Sequence, residues 1–85
     1  MARSSDRLVV ARAEALFASD LSIRCHTSKA AVAVAISNAV RAYGGVRGCA
    51  GEVGATYGDR PETAAARMRW ARHVVETIYY PRTVS

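Results

Sequence analysis

The sequence predicts an all-α protein, a compact bundle of about four helices. Apolar residues recur at helical spacing in four separate segments. Alanine, the strongest helix former, is abundant in those segments. Between them stand breakers: Gly44-Gly45 and the polar run Gly58-Asp59-Arg60-Pro61-Glu62-Thr63. The chain has 85 residues and shows no internal repeat, low-complexity tract or linker, so residues 1–85 are expected to form one domain with one modest core.

The first helix is expected to start after Ser4 or Ser5, since either hydroxyl can cap it. Val9, Ala13, Leu16 and Phe17 fall on one face. The pattern ends near Asp20, and residues 21–26 read as a connection with Ile23 as an anchor into the core.

Thr27 or Ser28 should open the second helix. Val32, Ala35, Ile36, Ala39, Val40 and Tyr43 form a stripe at i, i+3, i+4 and i+7 spacing. The Val-Ala run is also compatible with a strand, but its period and its alanines favour a helix. Val34 lies off the stripe and marks a second contact surface. Gly44 is well placed for a left-handed cap.

The third helix is expected over about 46–57, with Val46, Cys49, Ala50, Val53 and Tyr57 on one face. Gly48, Gly51 and Gly54 recur at every third residue beside it. Each costs the helix about 1 kcal/mol relative to Ala. Two readings account for them: close approach of another helix backbone, or of a phosphate backbone or partner.

Asp59 is expected to open the last helix. An acceptor at the cap, Glu62 three residues on and Pro61 in the first turn make a capping box. This helix should run to Tyr79 and stop before Pro81. Ala64, Met68, Ala71, Val74, Val75 and Ile78 form its buried stripe, with Arg69, Arg72, His73 and Glu76 opposite. Arg67 and Trp70 border the stripe. An inward guanidinium needs a partner, and Glu52, Glu14 or backbone carbonyls at a helix end are the candidates.

Charge narrows the function classes. Twelve Lys and Arg stand against seven Asp and Glu, giving a net charge of +5, and Lys29 is the sole lysine. A positive protein attracts polyanions, although acidic proteins fit the same sign. GC-rich codons for Ala, Arg, Gly and Val can also raise the arginine count. No apolar run approaches the roughly 20 residues needed to span a membrane, and no secretory signal is read at the start, so a cytoplasmic protein with reduced thiols and no membrane association is expected. Cys25 and Cys49 follow no metal spacing, and with His26 and His73 they give no support to a zinc site. Cys25-His26 lacks an orienting third group for nucleophilic catalysis. No phosphate-binding loop, dinucleotide glycine pattern or nucleophile elbow occurs. An enzyme, a cofactor and a bound metal are not expected.

Ala50 and Gly54, followed by the polar turn, resemble the first half of a helix-turn-helix, in which a small residue lies at the helix crossing and a glycine follows four residues later. The resemblance covers about 46–75 within a paired unit of about 46–79. It departs from the family in its turn, which the sequence places at four to six residues instead of three. The Arg-for-Lys, Ala-rich texture also resembles that of small actinobacterial proteins. The helix-turn-helix resemblance implies DNA binding and a role in transcription, with Arg47, Arg60, Thr63, Arg69, Arg72 and His73 as nucleic-acid contacts. Arginines suit guanine edges and phosphates, and the early turns of a recognition helix face the bases. The plainer account of such charges is a solvated helix face, with Arg72 and Glu76 as an ordinary i, i+4 pair. The alternative function is a protein-interaction module using Val34, Trp70 or the Gly48/Gly51 flank. The small core favours a homodimer in either case.

Overall fold

The structure, a computed structural model, describes residues 4–25 and 27–81. Four helices account for most of them: α1 Ser4–Ala18, α2 Lys29–Ala42, α3 Val46–Asp59 and α4 Pro61–Tyr79. No strand occurs among the described residues. Helix α1 packs against each of the other three, α3 packs against α4, and α2 meets α3 more sparingly. The first helix in sequence is therefore the centre of the bundle.

The predicted stripes are the faces that pack. Ala13, Leu16 and Phe17 of α1 join Val32 and Ala35 of α2, Val53 of α3, and Ala64, Ala71, Val74 and Val75 of α4 in the main core. Met68, Trp70 and Ile78 lie half-buried against it. A second, smaller cluster of Ala15, Ala39 and Cys49 joins α1, α2 and α3. Small side chains let the helices approach closely, but they supply little apolar area per residue. Leu16 is accordingly among the largest side chains in complete burial. The stripes overreach at their ends: Tyr43, Val46 and Tyr57 are exposed. Tyr57 still stacks on Phe17, with ring centroids 6.3 Å apart.

The ends of α2 follow local chemistry. Ser28 is its N-cap, and Ser28 Oγ accepts the Ala31 N–H at 3.1 Å. At the other end the Gly45 N–H donates to the Val40 carbonyl at 2.7 Å, and the Gly44 N–H to that of Arg41 at 3.4 Å. This is a Schellman closure, and it needs the positive φ of Gly44, +75°. Ser4, the first described residue, is already helical, so the cap predicted at Ser4 or Ser5 lies at the edge of the described residues.

Three expectations are corrected. Ile23 does not anchor the connection; it is 51% exposed, and Leu21 packs against the core instead. Of the glycines at 48, 51 and 54, Gly48 alone meets another backbone: a Cβ there would lie 1.7 Å from the Tyr43 carbonyl oxygen. Cβ atoms at Gly51 and Gly54 would meet nothing within 4 Å.

The third correction concerns the α3–α4 junction. Asp59 is the last residue of α3, and Arg60 alone separates the helices. The expected turn of four to six residues is one residue long. Pro61 explains the position of the break: it has no N–H to donate, and it disfavours helical geometry in the residue before it. Arg60 accordingly has φ −140° and ψ 74°. Its N–H closes α3 on the Thr56 carbonyl at 2.7 Å, and its carbonyl opens α4 by accepting the Ala64 N–H at 2.9 Å. No side chain caps α4.

Candidate nucleic-acid interface

Arg67 occupies the inner edge of α4, where its guanidinium closes the C-terminal end of α1. Nε donates to the Phe17 carbonyl at 2.7 Å, and one terminal nitrogen donates to the Ser19 and Leu21 carbonyls, each at 2.9 Å. A longer contact reaches the Leu16 carbonyl at 3.4 Å. The last carbonyls of a helix lack intrahelical donors and carry partial negative charge, so a cation here satisfies both needs. Its carbon lies 4.8 Å from the Trp70 ring centroid, a cation–π distance. Burial pulls the Arg67 pKa below the usual guanidinium range. Of the candidate partners, the carbonyls are the ones engaged.

The clamp fixes how α4 is rotated, and hence what it shows to solvent. Arg69, Arg72 and His73 are exposed on the arc facing away from Ala64, Ala71 and Val75. Glu62 and Glu76 are exposed on the same arc. Thr63 is exposed too, but it stands nine residues from Arg72, half a turn round the helix axis. It faces a shallow groove lined by Ser22, Ile23, Glu62, Ala66 and Arg67. Arg60 is exposed at the junction, and Arg47 is exposed near the start of α3. The six predicted residues are thus all accessible. Arg69, Arg72 and His73 are brought together on one arc, whereas Thr63 belongs to the groove.

Among the described residues one ion pair forms, Arg60 with Asp59 at 3.7 Å, both largely exposed. The Arg72–Glu76 pair expected of a plain solvated face is absent from it. On α3, Gly51, Gly54 and Gly58 leave an exposed surface with no side chains, close in angle to Arg47.

Arg12 also escaped sequence reasoning. Its guanidinium stacks 4.3 Å from the Tyr79 centroid and donates to the Tyr80 hydroxyl, tying the end of α4 to α1. Lys29 Nζ approaches the same Tyr79 ring at 5.8 Å. Helical periodicity relates residues a few positions apart, whereas Arg12 and Tyr80 are 68 positions apart.

Cys49 is buried, Cys25 is exposed, and both are free thiols. Among the described residues, no three of His, Cys, Asp and Glu converge as metal ligands would. None of the described helices is long and apolar enough to cross a membrane. Set against known proteins, the chain matches no protein-family model, no curated protein sequence and no solved structure.

Proposed function

We propose that this protein is a small helical DNA-binding or transcription-associated protein that contacts nucleic acid through α4 and the α3–α4 junction. The observation that carries this reading is the set of exposed cations on α3, the junction and α4. Arg69, Arg72 and Arg47 have no acidic partner within ion-pair distance among the described residues. An arginine left without a carboxylate is free to take a phosphate, and its fork geometry suits one. Arg69, Arg72 and His73 contact the backbone or base edges from one arc, Arg60 adds a contact at the junction, Arg47 reaches from α3, and Thr63 acts from the first turn of α4.

Binding of labelled, mixed-sequence duplex DNA, followed by anisotropy across a salt series, tests this reading. Affinity should fall steeply with salt, and Arg69→Ala or Arg72→Ala should each flatten the logarithmic slope by roughly one unit while the helical circular dichroism is kept. Absence of binding at low salt would sink the reading.

A second reading, a protein-interaction module acting as a homodimer, draws support from exposed apolar side chains. Val34 of α2 is 58% exposed, and Leu8 and Val10 of α1 are close to half exposed. Sedimentation at rising concentration, with Val34→Ser as the control, tests self-association. Such an interface would respond weakly to salt, which separates it from phosphate contacts.

A further inference from the structure

We infer that Arg24, in the connection between α1 and α2, is a further phosphate contact, and that Arg67 is the residue that positions it. This rests on the nucleic-acid reading of α4 and extends it to a second segment of chain. The connection is not a free loop. Arg67 holds the carbonyls of Ser19 and Leu21 at 2.9 Å each, which ties the start of the connection to the middle of α4. Ser22 and Ile23 then line one wall of the groove whose other wall is Glu62, Thr63 and Ala66.

Beyond that wall, Ser22 organises the next residues. Its hydroxyl accepts the Arg24 N–H at 3.1 Å, and its carbonyl accepts the Cys25 N–H at 3.1 Å. Arg24 is exposed and has no ion-pair partner among the described residues. A cation therefore follows directly on Ser22 and Ile23, the residues that face the first two turns of α4 across the groove, the turns that a recognition helix directs at bases. Glu62 makes the α4 wall of the groove unfavourable for a phosphate. Holding the connection in place before binding reduces the ordering cost of the contact.

The test is a double-substitution cycle on binding of labelled, mixed-sequence duplex DNA over a salt series. Arg24→Ala should weaken binding several-fold and flatten the salt slope by roughly one unit. In an Arg67→Lys background that keeps its helical circular dichroism, Arg24→Ala should have little further effect, because the connection is no longer held. A purely structural Arg67 would lower the melting temperature yet leave the Arg24 effect at full size, and that result would overturn the positioning role. If Arg67→Lys fails to fold, Ser22→Ala takes its place: it removes the hydroxyl that holds the Arg24 N–H and should diminish the Arg24 effect, and an undiminished effect overturns the role. An unchanged slope for Arg24→Ala in a protein that does bind overturns the contact and leaves the α4 reading standing. A wild-type protein that does not bind removes both.

Discussion

Arg67 of α4 donates from Nε to the main-chain carbonyl of Phe17, 50 residues earlier, at 2.7 Å. That bond and its neighbours join the last helix to the end of the central one. Removing the guanidinium would strand several partly buried carbonyls at once. Arg67→Ala should therefore destabilise the protein by on the order of 1.5–3 kcal/mol, the range for hydrogen bonds to a charged group. Arg67→Lys should recover only part of this, because one ammonium cannot reproduce the planar fork. Chemical denaturation of the two variants measures both. An Arg67→Ala midpoint equal to wild type would show that the clamp contributes nothing.

The glycines of α3 should respond in opposite directions. Gly48→Ala places a Cβ 1.7 Å from the Tyr43 carbonyl oxygen, so the backbone at the α2–α3 junction must shift. A loss of more than about 1 kcal/mol is expected, typical of overpacking. Gly51→Ala and Gly54→Ala meet open space and should raise stability by up to about 1 kcal/mol each through helix propensity. Thermal melts of the three single variants decide this. Equal effects at positions 48 and 51 would contradict the close approach.

Asp59→Ala should leave stability within about 0.5 kcal/mol of wild type, as for most surface substitutions. Asp59 ends α3, its side chain is 80% exposed, and its single ion pair is at 3.7 Å. A cap would have cost about 0.5–2 kcal/mol on removal. A drop in that upper range would return the start of α4 to Asp59.

Cys49 gives stability a dependence on alkaline pH. Burial pushes its thiol up, and the Glu14 carboxylate pushes in the same direction. The unfolded chain then loses this proton first. The stabilising contribution is present in full below the unfolded thiol value, roughly 8.5, and is lost as pH rises above it toward the raised folded value. Denaturation free energies measured from pH 8 to about 10 should fall less steeply for Cys49→Ala than for wild type. Parallel slopes would mean that Cys49 ionises as readily in the folded protein as in the unfolded chain.

The helices themselves were legible in the sequence because their causes are local. A stripe such as Ala64-Met68-Ala71-Val75 identifies its own buried face, and Ser28 and Gly44 close α2 with atoms a few residues away. The exposure of Arg69, Arg72 and His73 followed from the same periodicity. The α3–α4 junction was misread because Asp59 and Glu62 carry the signature of a cap while Pro61 alone suffices to break the chain at Arg60. Local patterns rank such competing signals poorly. The partner of Arg67, the grip of Arg12 on Tyr80 and the contact of Gly48 with Tyr43 were decided only by the tertiary structure. The same holds for the groove that Thr63 faces, whose far wall is Ser22 and Ile23. Periodicity tells which way a residue points from its own helix. It carries no information about which carbonyl or ring stands opposite, because that depends on how whole helices are set against α1.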